Sequence, residues 1–182
     1  MLKPVYNPET IYVAASLVVG GIAAVHDIRD RRIPNLLTGP AIIIALLIHL
    51  ALGGWAAVGS SAIAGLIGGS IFAVFFIAGG LGAGDVKLMT AVGCFVGTSM
   101  IAEVMMATVI IGALFGVFVA VSRGQLGKTV SNTILLVQHH QRQGLEPHPE
   151  LNLANAKTLR LPYALPIMAG CFVAAWTLAT RG

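Results

Sequence analysis

Two carboxylates stand at the ends of apolar runs, where an ionisable side chain is expensive and needs a reason. Asp27 closes the run that opens near Ile11, and Asp85 follows Gly79-Gly80-Leu81-Gly82-Ala83-Gly84, a stretch of little side-chain bulk. At a helix start the positive dipole end favours an ionised Asp85. At a helix end it disfavours an ionised Asp27, while Arg29, Arg31 and Arg32 push the other way. If packing brings the two together, repulsion separates their protonation steps and one proton is shared. Such a pair acts as general base and general acid on a water that attacks a peptide carbonyl. A loop of so little bulk would let an extended substrate backbone approach closely and add hydrogen bonds. Taken singly, each Asp also fits a solvated helix cap, and the glycines fit a plain turn.

Lys87, two residues after Asp85, would bias that carboxylate toward ionisation or bind a substrate carbonyl. It equally fits a topology-setting lysine that snorkels to the interface. Asp30 is the rival to Asp27, but it stands among three arginines, where a surface ion pair accounts for it. His26 beside Asp27 reads as an interfacial histidine and Glu103 as a solvated group near the outer end of its helix. His139, His140 and His148 match no metal-ligand spacing, so no metal or other cofactor is expected. Cys94 and Cys171 stand alone in apolar segments and read as inert thiols.

Positioning these groups falls to the rest of the 182 residues, of which 57% are hydrophobic and only 10% charged. A soluble domain carries about 25% charged residues, so hydrocarbon is the expected solvent. The net charge of +4 does not point to nucleic acid, because the basic residues sit in short loops between apolar runs. The 22 glycines fit helices that approach closely in lipid. A crossing needs ~20 mostly apolar residues. Six segments approach that length: Ile11–Asp27, Leu36–Leu52, Trp55–Ala78, Gly84–Thr98, Met100–Val121 and Leu161–Thr180. The expected fold is all-α, a single membrane domain over 1–182 with six transmembrane helices. A cytoplasmic loop, 122–160, joins the fifth and sixth, and Val130 to Val137 within it has the character of an interfacial helix. The first run lacks a cleavage site and reads as a retained helix, not a signal peptide. Gly65 with Gly69, and Gly112 with Gly116, have the spacing of close helix contacts.

If the first helix exits into the cytoplasm, Arg29, Arg31, Arg32, Lys87, Arg123, Lys128, Arg142, Lys157 and Arg160 lie at that face and Lys3 and Arg181 lie outside. That asymmetry follows the positive-inside rule. Both termini are then outside, and Asp27 and Asp85 share the cytoplasmic face.

Asp27-Ile28-Arg29-Asp30-Arg31-Arg32-Ile33-Pro34-Asn35 resembles the first-aspartate motif of the type IV prepilin peptidases, an Asp followed six and seven residues later by Ile-Pro. Gly82-Ala83-Gly84-Asp85-Val86-Lys87-Leu88 is similar to their GxGD motif, and Leu161-Pro162-Tyr163-Ala164-Leu165-Pro166 to their late Pro-Tyr/Phe segment. The resemblance spans nearly the whole chain. It implies that Asp27 and Asp85 form a metal-free catalytic pair and that Gly82 and Gly84 shape the substrate-binding loop. It also implies cleavage of the short basic leader of prepilins or prepilin-like proteins at the cytoplasmic face of a bacterial inner membrane. The paired CxxC motifs associated with N-methylation in larger members do not occur in the sequence. This is similar to the short, cleavage-only peptidases of Flp or tight-adherence pili. Partners would be prepilin substrates and membrane lipid.

Two other functions use the same residues. A small transporter or channel would bind cations or protons on intramembrane carboxylates, but it calls for groups near the midplane and an inverted repeat. Neither is evident here. A non-catalytic scaffold of a pilus or secretion machine would use the aspartates only as caps.

Overall fold

The computed structural model describes residues 7–149, 151 and 161–181. Among them the fold is all-helical, with α1 (Pro8–Asp30), α2 (Asn35–Ile77), α3 (Ala83–Ser122), α4 (Leu126–Gln143) and α5 (Ala164–Arg181). α1, α2, α3 and α5 are long and apolar enough to cross a membrane. Four candidate spanning helices thus stand where six spans were expected. The expected 122–160 loop is corrected, since it contains α4, an 18-residue helix. The rest of that loop, residue 150 and residues 152–160, lies outside the described residues.

The two missing boundaries fall on single glycines inside long helices. Gly54 in α2 has φ 67°, ψ −163°, and Gly97 in α3 has φ 69°, ψ −178°. Both are left-handed values that a side chain resists and glycine accepts. In an unbroken helix, positions 49 and 61 would stand about 18 Å apart at 1.5 Å per residue. Yet His49 Nε2–H donates to the Phe95 carbonyl at 2.9 Å and Ser61 Oγ–H to the Cys94 carbonyl at 2.6 Å. α2 therefore folds back on itself at Gly54. α3 does so at Gly97, because Met89 and Ile101 both crowd the bare face of Gly68.

Tight spacing between the arms of α2 and α3 rests on missing side chains. A Cβ on Gly65 would collide with Cys94 Sγ, and one on Gly69 with Thr90 Oγ1. On the facing helix, a Cβ on Gly93 would stand 2.6 Å from the Ala64 carbonyl oxygen. Leu88, Met89 and Val92 of α3 pack with Ala23 of α1 and Ile167 of α5 into the main core. Outward, Val18, Leu66, Phe118 and Trp176 are each more than 60% exposed. In water so broad an apolar exterior would aggregate, whereas in a bilayer it meets acyl chains.

The helix ends sort into two poles. Asn7 caps α1, accepting the Glu9 N–H at 3.1 Å. Tyr12 of its first turns stacks on His49, ring centroids 3.8 Å apart, beside Gly97. At this pole Glu103 accepts a hydrogen bond from Thr177 and pairs with Arg181 at 3.4 Å, tying α3 to the end of α5. The expectation of a merely solvated Glu103 is corrected: its carboxylate is a half-buried clasp. The opposite pole collects the end of α1, both ends of α2, the start of α3 and the start of α5.

Candidate functional site

Asp27 lies one turn before the end of α1, not at the end the sequence pattern gave it, and is only 8% exposed. Its main-chain carbonyl accepts the N–H of Arg31 at 3.1 Å, with Arg31 turned left-handed at φ 52° to close the helix. Its side chain reaches across the bundle, where Oδ2 accepts the Ala164 N–H at 3.2 Å. Ala164 opens α5, and the first amides of a helix have no partner within it. Asp27 therefore caps α5 from another helix, 137 positions away.

Asp85 stands in the first turn of α3, where its Oδ2 accepts the Gly82 N–H at 3.0 Å. It is half-buried and lies within the electrostatic field of Asp27. Tyr163 feels the charge of Asp85 in turn, and its neighbour Ala164 holds Asp27. The Tyr163 ring meets Phe72 edge-on, centroids 6.3 Å apart. Tyr163 and Ala164, at the start of α5, thus lie near both carboxylates.

The motifs also pack on one another. A Cβ on Gly84 would come within 3.1 Å of Ile33 Cβ, so the glycine before Asp85 makes room for the Ile-Pro of the first motif. Lys87 Nζ donates to Asn35 Oδ1 at 2.8 Å, joining the residue after that Ile-Pro to the one two beyond Asp85. Asn35 and Tyr163 stood inside quoted motifs without a role. The signal that could have found the first was a hydrogen-bonding side chain at the start of one apolar run, matched by a lysine at the start of another.

Other candidates are drawn away from the pair. His26 meets Asp30 at 3.6 Å, one helical turn on, and both side chains are well exposed. His139 donates to the Glu146 carbonyl at 3.0 Å and His140 to the Leu136 carbonyl at 2.8 Å, while His148 Nδ1 accepts the Leu151 N–H at 3.2 Å. These histidines serve the local backbone, and among the described residues no group of three potential ligands is arranged to hold a metal.

Gly112 on the second arm of α3 accommodates the Tyr163 hydroxyl, which lies 2.7 Å from where a Cβ would be. Gly112→Ala should displace the ring and with it the Ala164 amide on Asp27. Misplacing a reacting group by about 1 Å costs up to about 10²-fold in rate. Any catalysis at this site should fall toward that extent while the detergent-solubilised protein keeps its helical circular dichroism.

No solved structure matches the chain. A prepilin leader peptidase/N-methyltransferase from Bacillus subtilis (strain 168) is 35% identical over 127 residues, covering 66% of this chain and 47% of the relative. The chain thus spans about half the length of that curated relative. The type IV leader peptidase family matches residues 14–117, a stretch that holds Asp27, the Ile33-Pro34 turn, the glycine loop and Asp85. With its all-helical, membrane-spanning architecture and that match, the chain belongs to the type IV leader peptidase family.

Proposed function

We propose that the protein is an intramembrane aspartyl endopeptidase that removes the leader from Flp-type prepilins or prepilin-like proteins at the cytoplasmic face of a bacterial inner membrane. The observation that supports this is that Asp27 and Asp85, 58 positions apart, stand at the same pole of the bundle, with the charge of Asp27 reaching Asp85. Two carboxylates so placed share one proton most favourably. The ionised member takes a proton from water as the oxygen attacks the scissile carbonyl, and the protonated member gives its proton to the amide nitrogen as the C–N bond breaks. Gly82, Gly84 and Lys87 form the substrate-facing rim in this scheme. It calls on no metal.

α2 and α3, folded back at Gly54 and Gly97, each cross the bilayer twice, so that with α1 and α5 there are six crossings. Arg29, Arg31, Arg32, Lys87, Arg123, Lys128 and Arg142 then belong to the cytoplasmic face and Arg181 to the outside, as the positive-inside rule requires. Both termini lie outside in this arrangement. A transporter would hold its carboxylates near mid-bundle, and here they cap helix ends.

The test is co-expression with Flp-type prepilins and mass spectrometry of the products. Leader removal at one peptide bond is expected. Intact prepilins together with ion flux in proteoliposomes would overturn the proposal in favour of transport. The Lys87–Asn35 bond is exposed, and such hydrogen bonds contribute only about 1 kcal/mol. Lys87→Met should therefore lower kcat/KM by about tenfold or less in the same assay.

A further inference from the structure

α4 presents an unpartnered face. Leu126, Val130, Ile134 and Val137 recur at helical spacing along one side and are 45%, 53%, 52% and 51% exposed. None of its residues is buried, and α3 alone among the helices packs against it. An apolar cavity of about 510 Å³ separates it from the end of α2, between Val74, Phe75 and Ala78 on one side and Leu136 and Val137 on the other. Among the described residues no helix packs directly on the stripe, and Val137 faces α2 only across this cavity.

Position and charge identify what does. α4 follows α3 after only Arg123, Gly124 and Gln125, so it is tethered where a spanning helix leaves the bilayer. Gly80 also lines the cavity, which puts α4 at the pole of Asp27 and Asp85. From Ser122 to Gly144 there is no acidic residue, while Arg123, Lys128 and Arg142 are cationic. On a helical projection Lys128, His139 and Arg142 fall opposite the stripe, with Leu135 between them. A helix with an apolar stripe, a basic polar face and low overall hydrophobicity lies in the plane of the headgroups.

We propose that α4 is a surface-lying helix that docks on an anionic lipid leaflet. Its apolar stripe inserts among the acyl chains, and Lys128 and Arg142 engage the lipid phosphates. Cations near an anionic surface each favour binding by roughly fivefold. This does not rest on the peptidase proposal.

The test attaches an environment-sensitive fluorophore to the full-length protein through Ile134→Cys on the stripe or Asn132→Cys on the polar face. Cys94 and Cys171 are buried, and the protein without an added cysteine gives the background. The samples are reconstituted in phosphatidylcholine vesicles with and without phosphatidylglycerol, with brominated acyl chains as quencher. The expected result is quenching at position 134 and not at 132, stronger with phosphatidylglycerol. Lys128→Gln with Arg142→Gln should lower the docked-to-undocked ratio on the order of twentyfold in the anionic vesicles. No quenching at position 134 in either vesicle would overturn the proposal, the outcome expected if a protein covers the stripe. Equal quenching in both vesicles, or a double variant that docks like wild type, would overturn the anionic selection.

Discussion

Asp85→Asn and Asp27→Asn should each stop leader cleavage while leaving a folded, membrane-inserted protein. An amide accepts hydrogen bonds much as a carboxylate does, so the Gly82 and Ala164 contacts at 3.0 and 3.2 Å survive the change. What is lost is the ability to exchange a proton. Removing a general acid or base costs about 10²–10⁴-fold, and under the proposed mechanism each variant removes half of a pair that works only together. The expected loss is at the upper end of that range, and the double variant should be no worse than either single one. Single-turnover cleavage of a purified prepilin in detergent measures it. Normal cleavage by either well-folded variant would remove the dyad from the mechanism. Asp30→Asn should cleave like wild type, because Asp30 is engaged with His26 on the outside of α1.

Gly93→Val carries the largest expected effect on stability. The obstacle to a side chain at Gly93 is backbone: a Cβ would lie 2.6 Å from the Ala64 carbonyl oxygen and 2.9 Å from its carbon. Neither atom can rotate away, so the folded-back arms of α2 and α3 must part. Overpacking a core costs typically 1–3 kcal/mol and occasionally more, and a backbone obstacle places this case at about 3 kcal/mol or above. Parting these arms also moves the turn of α3 that presents Asp85. Thermal unfolding in detergent, followed by tryptophan fluorescence, should show a markedly lower midpoint. By contrast Gly59→Ala, where nothing lies within 4 Å, should leave it unchanged.

Much of this molecule could be read from residue order because lipid imposes a harsh rule: each crossing must be apolar and internally hydrogen-bonded. That rule exposed the apolar runs and made the carboxylates at their edges conspicuous. The divisions between Leu52 and Trp55 and between Thr98 and Met100 fall where Gly54 and Gly97 interrupt α2 and α3, but that one left-handed glycine makes each break was not legible. Nor could the rule find the far pole. His49 had no assigned role within Leu36–Leu52, and its stack on Tyr12 and bond to Phe95 depend on three segments meeting. Glu103 looked solvated because Thr177 and Arg181 lie more than 70 positions away. α4 was visible only as the apolar stretch Val130 to Val137, because polar residues fill the rest of its length.

The same reasoning explains the candidate site. Asp27 and Asp85 were identifiable as types at positions, and the Ile-Pro and glycine motifs as punctuation. Their interlocking was not legible. Gly84 looked like an open approach for substrate, whereas its missing side chain also seats Ile33. The Ala164 amide on Asp27 has no side-chain signature at all, being a backbone donor left over at a helix start.

Everything here depends on two acidic side chains from separate helices being near neighbours in the membrane-embedded protein. The direct measurement is thiol cross-linking of the variant carrying Asp27→Cys and Asp85→Cys, treated in membranes with a short bis-methanethiosulfonate and resolved after proteolysis between the two positions. The account predicts that fragments from α1 and α3 remain covalently joined until reductant is added, and that Asp30→Cys with Asp85→Cys gives no such product. Fragments that separate freely, although both thiols react with a small maleimide, would contradict it.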